Sequence, residues 1–279
     1  MKNILLPTDF SDNSIHAIQY ATKLFKDVNC TFYVLHVYGV PFLTDQEIPY
    51  YESAQKETFE DSLFKQSEKN LKKLIHSFEK NPLHNFKTIS DYNFFINSVL
   101  KTVENKKIDT VVMGTKGATG AKEIFLGSNT GEVILKVVCD ILAIPENTKY
   151  QDPKEITFPT DFKISYKKGD LKGLLEIVKL HQAKVHVMHV MNQKSLDELQ
   201  EKNQKVLTKI FQEIESSFHI LTNTNFENAL NCFTQSRGNI DMIAIVARHY
   251  NIFQRLFFRP IVEKLSFHTN IPLLILHEN

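Results

Sequence analysis

Charge of one sign is missing from this chain, with 33 Lys plus Arg against 32 Asp plus Glu over 279 residues. No global field therefore favours nucleic acid or a membrane surface, and an anionic ligand has to be held locally. Cysteine is scarce as well. Cys30, Cys139 and Cys232 are odd in number, lack CxxC spacing and sit in apolar patterns, which argues against a disulfide framework or zinc site and fits small core residues in a reducing compartment. No apolar run approaches the roughly 18 residues that cross a bilayer. The start, Met1-Lys-Asn, passes straight into a strand-like Ile4-Leu-Leu with no signal-peptide core. The expected location is the cytoplasm, with neither membrane nor nucleic acid as partner.

Glycine is also thin, nine residues in all, yet five of them lie between Gly114 and Gly131. Gly114-Thr-Lys-Gly117, with Gly127-Ser128 nine residues later, comes after the apolar run Ile108 to Met113 and before a helical pattern. Strand, glycine loop and helix are a means of holding phosphate. Glycine lets backbone approach a ligand closely, and the free N–H groups of a helix starting near Ser128 attract anions. The competing reading is an ordinary flexible turn with Ser128 as a helix N-cap. Lys116 and Lys122 in the loop are candidate phosphate contacts or simply solvated charges.

The chain also repeats itself. Ile4-Leu-Leu-Pro7-Thr-Asp9-Phe10 returns as Ile156-Thr-Phe-Pro159-Thr-Asp161-Phe162, and Tyr33-Val-Leu-His36-Val37 as His186-Val-Met-His189-Val190. Ile108-Asp109 returns as Ile240-Asp241, and Asp140 to Glu146 is echoed by Pro272 to Glu278. The blocks keep their order, which indicates a tandem duplication. The polar stretch from Asn147 to Pro153 reads as a linker, giving domains 1–148 and 149–279. Short apolar runs predict strands near 3–7, 30–37, 86–90, 108–113 and 141–144 in the first copy, and near 155–159, 184–190, 218–222, 240–246 and 272–276 in the second. Amphipathic stretches fit helices between the first-copy strands, the first capped by Ser11. The expected fold is α/β: two Rossmann-like domains, each a five-stranded parallel sheet of order 3-2-1-4-5 with helices on both faces. Such a sheet binds ligands beyond its strand ends where successive connections diverge, which brings Pro7-Thr8-Asp9 and the Gly114 to Gly127 loop to one crevice.

Other chemistry is not signalled. GxGxxG, GxxxxGK[ST] and GxSxG are all absent, so dinucleotide, P-loop and nucleophile-elbow readings fail. His181, His186 and His189 resemble a metal cluster only by proximity in sequence, because His186 and His189 project from opposite faces of a strand. No catalytic residue and no metal ligand is assigned.

The start ILLPTDFS, the strand ending VLHV and the G-x2-G-x9-G-S stretch resemble the universal stress protein family, across the whole chain as two copies. The resemblance implies an ATP-binding stress sensor or regulator. It places Asp9 at adenine and ribose, Pro7, Thr8 and about Val37 along the base, and Met113 and Gly114 on the nucleoside side. It places the backbone around Gly117, Gly127, Ser128 and Asn129 at the phosphates, with magnesium or manganese as accompanying ion. A carboxylate at Asp9 suits ribose hydroxyls or an adenine amino group; a structural turn or cap is the alternative, and the persistence of Asp161 in the second copy favours it.

A gap-free alignment through Asp109 and Asp241 sets Val246, His249, Arg259 and Pro260 opposite Gly114, Gly117, Gly127 and Ser128. Every glycine of the motif is lost, and Pro260 lacks an N–H, so one nucleotide per chain is expected. Arg248, His249 and Arg259 are a weak alternative anion site, while Phe253, Phe257 and Phe258 suggest a packed or docking surface. The last strands of the two copies are expected to pair within the chain as an intrachain pseudo-dimer, and a homodimer is left open. A non-nucleotide interaction protein and a slow ATPase are the alternative functions.

Overall fold

The computed structural model describes residues 1–39, 53–115, 128–191, 193–247 and 270–277, without the side chains of 53–59. Two compact units divide the described chain between Val137 and Val138.

The first unit alternates strand and helix: β1 (Lys2–Pro7), α1 (Asp12–Leu24), β2 (Cys30–Tyr38), α2 (Ser53–His76), β3 (His84–Tyr92), α3 (Phe95–Lys106), β4 (Thr110–Gly114) and α4 (Ser128–Lys136). The strand order is β3-β2-β1-β4, and the pairs are parallel. Continuous apolar runs become central strands because both faces are covered; Ile4, Leu5 and Leu6 of β1 and Val111 and Val112 of β4 are all completely buried. Helix α1 packs on β4, α2 on β3 and β2, and α3 on β1. Ser11 caps α1 as expected, its side chain accepting from Ser14 N.

The second unit contains β5 (Asp140–Ile144), β6 (Glu155–Pro159), α5 (Lys172–His181), β7 (Lys184–Met191), α6 (Glu198–Phe211), β8 (Ser216–Thr222), α7 (Phe226–Arg237), β9 (Met242–Val246) and β10 (Leu273–Leu276). Its strands run β10-β9-β6-β7-β8 in parallel, and β5 adds to the free edge of β10 as an antiparallel strand, with Leu273 opposite Ala143 and Ile275 opposite Ile141. That pairing closes an edge that is otherwise open to aggregation. Asp140 fixes its start: the carboxylate accepts from His277 N at 3.2 Å.

The two copies share their register. Ile4 lies opposite Thr110 and Ile156 opposite Met242, the relation that aligning Ile4 with Ile156 and Asp109 with Asp241 requires. Those aspartates hold equivalent places. Asp109 accepts from Asn3 N at 2.8 Å, and Asp241 accepts from Lys154 N and Glu155 N at 2.7 and 3.0 Å. They tie the strand starts together, at the ends of the strands opposite Pro7 and Pro159.

One position carries a cost. Thr157 of β6 is fully buried, and its hydroxyl has no hydrogen-bond partner among the described residues. A buried hydroxyl without a partner is penalised. Thr157→Val is therefore expected to raise stability by about 1 kcal/mol in urea unfolding, with the slope of the transition unchanged.

Candidate functional site

The crevice forms where β1 and β4 part. Their pairing ends at Leu5 opposite Val111, and the strand ends beyond it carry Pro7-Thr8-Asp9 on one side and Met113-Gly114 on the other. Divergence at this point is the switch-point geometry of doubly wound sheets. Thr8 is buried, its N–H donating to Leu35 O at 2.8 Å. Its hydroxyl sits 2.9 Å from Ser14 Oγ and accepts from Phe10 N at 3.0 Å. That last bond holds Phe10 in the left-handed region at φ 63°, an uncommon conformation for a bulky side chain. Asp9 is exposed; its Oδ1 accepts from Ser11 N at 3.0 Å and Ser11 Oγ at 2.5 Å. Asp9 thus braces the residue that caps α1, and the cap itself is Ser11.

The second copy rebuilds the same turn. Phe162 has φ 56°, its N–H donates to Thr160 Oγ1 at 3.0 Å, and Asp161 Oδ1 accepts from Lys163 N at 2.9 Å. The aspartate's turn-forming role is therefore common to both copies. The two copies diverge beyond the turn: α1 starts three residues after Asp9, whereas α5 starts only at Lys172. The intervening segment carries Tyr166, which is buried and whose hydroxyl lies 3.0 Å from Thr160 Oγ1. The second crevice consequently has no helix start beside its aspartate.

Gly114 has a packing reason of its own. A Cβ built there would lie 2.5 Å from Asn13 Nδ2 and 2.7 Å from Asn13 Cγ, so the first turn of α1 rests directly on this backbone. Opposite, Thr130 Oγ1 donates to Gly114 O at 2.9 Å and secures α4 to the strand end. Ser128 and Asn129 open α4 and are exposed. Val37 is half-buried at the end of β2, and Met113 is buried. Pro7, Thr8, Asp9, Met113, Gly114, Ser128 and Asn129 thus belong to β1 and the turn after it, to β4 and to α4; Val37 stands one strand further out. Gly117 and Gly127 lie outside the described residues, as do Arg248, His249, Arg259, Pro260 and the three phenylalanines near them. Val246, opposite Gly114, is buried in β9.

Two polar networks have no counterpart in the sequence motifs. In the first unit, His36 Nδ1 lies 2.8 Å from Ser67 Oγ, Ser67 Oγ lies 2.7 Å from Ser90 Oγ, and Ser90 donates to Glu68 at 2.9 Å. The Phe10 ring meets the His36 ring at 4.5 Å, tilted by 48°. In the second unit, His186 meets Glu155 through Nε2 and lies 2.9 Å from Ser217 Oγ and 3.2 Å from His219 Nε2 through Nδ1. His189 turns the other way, to Thr160 O at 2.9 Å, so the opposite-face argument for these histidines holds. Among the described residues no group of three or more His, Cys, Asp or Glu is arranged to hold a metal ion. No signal in the sequence announced either network, because Ser67 and Ser217 become partners only when helix and strands come together.

Burial lowers the pKa of His36, with Asp9 opposing, and lowers that of His219, where Arg237, His186 and Lys184 add to the effect. A histidine whose folded pKa is depressed leaves the unfolded chain holding more protons at acidic pH. Its stability contribution is complete above the ordinary value of 6.5 and is lost as pH falls below it. The melting temperature is expected to stay level from pH 8 to 7 and to decline as pH drops from 6.5 towards 5. His219→Gln is expected to flatten that decline; an unchanged slope would assign it to other groups.

Parallel strands joined through helices, in two copies with the same register and a crevice at each switch point, define a Rossmann-like α/β protein. Residues 1–145, just over half of the sequence, match the model of the Universal stress protein family, and the chain belongs to that family. Among curated relatives, the universal stress protein MJ0531 of Methanocaldococcus jannaschii is 30% identical over 149 residues, covering 53% of this chain and 84% of the relative. MJ0577 of the same organism is 28% identical over 155 residues, covering 51% and 94% respectively. The fold is shared over the full length with a universal stress protein of Archaeoglobus fulgidus, at TM-score 0.62 and 18% identity, covering 99% of this chain and 98% of that one. No helix among the described residues is long and apolar enough to cross a membrane.

Proposed function

We propose that the first copy, residues 1–148, binds one adenine nucleotide, ATP, as a stress-response sensor or regulator, while the second copy, residues 149–279, carries a degenerate loop and acts as its structural or regulatory partner. The observation that carries this reading is the joining of the β4 end to the exposed start of α4 through the Thr130 to Gly114 hydrogen bond, next to the parting end of β1. A helix start beside two diverging strand ends suits an anion on one side and a nucleoside along the other. Pro7, Thr8, Asp9 and Val37 would face the nucleoside end with Met113 and Gly114; Gly117, Gly127, Ser128 and Asn129 would hold the phosphates.

Magnesium fits this site only as a companion of the nucleotide. It is commonly held by substrate phosphates and waters with one or two protein ligands, and Ser128 offers a hydroxyl at the helix start. The protein's own part is to orient the base and to present N–H groups to the phosphates.

Calorimetric titration of the full chain with ATP and magnesium tests the reading, and lack of affinity at millimolar nucleotide overturns it. Gly127→Val is expected to abolish binding, and Arg259→Ala to leave it unchanged. Equal effects would defeat the single-site reading.

A further inference from the structure

The four-residue network beside the crevice has a determined direction. A carboxylate accepts hydrogen bonds, and a serine hydroxyl has one proton to give. Ser90 spends its proton on Glu68. The contact between Ser67 and Ser90 at 2.7 Å therefore uses the Ser67 proton, and the 2.8 Å contact between His36 and Ser67 requires a proton on His36 Nδ1. The neutral imidazole then has a bare lone pair on Nε2. That atom has no hydrogen-bond partner among the described residues. The ring itself is set in place by Phe10 and stands at the end of β2, where Leu35 lies opposite Pro7 and His36 opposite Ser90.

We propose that Glu68, acting through Ser90 and Ser67, locks His36 as the Nδ1-protonated tautomer so that Nε2 accepts a hydrogen bond from the exocyclic amino group of a bound nucleobase. This rests on the nucleotide reading above. The strand order β2-β1-β4 sets β2 two spacings, about 10 Å, from the strand that leads into α4. A ligand anchored by phosphate at the α4 start thus reaches β2 with its base end. Burial keeps the imidazole neutral at neutral pH, the nearby Asp9 carboxylate notwithstanding. His36 acts here on specificity, and Glu68, Ser90 and Ser67 are positioning residues. The second copy reaches the same tautomer by a shorter route, His189 Nδ1 donating directly to the carbonyl of Thr160.

The direction of the relay can be reversed by one atom type. In Glu68→Gln the amide can donate to Ser90, Ser90 to Ser67 and Ser67 to His36 Nδ1, which moves the imidazole proton to Nε2. Long-range proton–nitrogen NMR of the 15N-histidine-labelled full chain reads the tautomer without any nucleotide. The expected result is a protonated Nδ1 in the wild type, a shift towards protonated Nε2 in Glu68→Gln, and a mixture in Ser67→Ala. A wild-type His36 protonated on Nε2, or a tautomer unmoved by Glu68→Gln, overturns the lock. Titration with ATP and with ITP, which carries a carbonyl in place of the amino group, reads the consequence. The wild type is expected to prefer ATP by about tenfold, the equivalent of one misplaced hydrogen bond, and Glu68→Gln to lose or invert that preference. Equal affinities in both proteins overturn base reading by His36. Failure of both nucleotides to bind overturns the nucleotide reading and base reading together, while the tautomer measurement still decides the lock by itself.

Discussion

Phe158→Ala is expected to cost about 3–5 kcal/mol, enough to leave the second unit largely unfolded at physiological temperature. Phe158 is fully buried in β6, and its ring meets Tyr166 edge-on at 5.5 Å and Phe211 at 5.9 Å. The loss combines the transfer energy of a large aromatic side chain, the cavity left behind and two edge-to-face contacts. Tyr166 makes the site hard to repair by collapse. Its hydroxyl is committed to Thr160, so the ring cannot slide into the void without abandoning the turn that holds Phe162 at positive φ. Phe158→Leu keeps most of the volume and is expected to cost less than half as much. Urea unfolding monitored by circular dichroism separates the two; similar losses would mean that the cavity is not what matters.

Much of the fold was legible because the strands of a parallel sheet are buried on both faces and therefore read as unbroken apolar runs. Ile4 to Pro7, Cys30 to Val37 and Val111 to Met113 needed no tertiary information. The repeat made the register legible too, since aligning Ile4 with Ile156 and Asp109 with Asp241 carries the pairing of β1 with β4 onto that of β6 with β9. Side-chain partners outside the strands were less accessible. Asp9 read as a ligand contact with a turn or cap as the alternative; Ser11 was legible as the cap, and only geometry shows that Asp9 braces it. Gly114 suggested a close ligand. The close neighbour in the structure is Asn13, whose side chain occupies the room a Cβ would need. The delayed start of α5 at Lys172 was not legible; Tyr166 there meets the Thr160 hydroxyl as Ser14 of α1 meets that of Thr8.

This packing turns Gly114 into a test of how tightly helix and crevice are coupled. Gly114→Ala is expected to cost about 1–3 kcal/mol, the usual range for a methyl forced into a filled core, and Gly114→Val more. The added carbon would sit 2.5–2.9 Å from three atoms of the Asn13 side chain, and Asn13 is itself buried in the first turn of α1. Relief requires either a new Asn13 rotamer or withdrawal of the helix start. Only withdrawal disturbs Ser11, Ser14 and the Thr8 hydroxyl that fixes Phe10. Pairing the change with Asn13→Ala distinguishes the two, because it deletes the three clashing atoms and leaves the helix cap intact. The double variant Asn13→Ala with Gly114→Ala is expected to be more stable than the sum of the single losses by roughly 1 kcal/mol or more. If the proposed nucleotide site is correct, ATP affinity is expected to fall strongly in Gly114→Ala and to return in the double variant. Stability that returns without affinity would separate the packing role of this glycine from its ligand role, and strictly additive losses would show that Asn13 is not what the glycine accommodates.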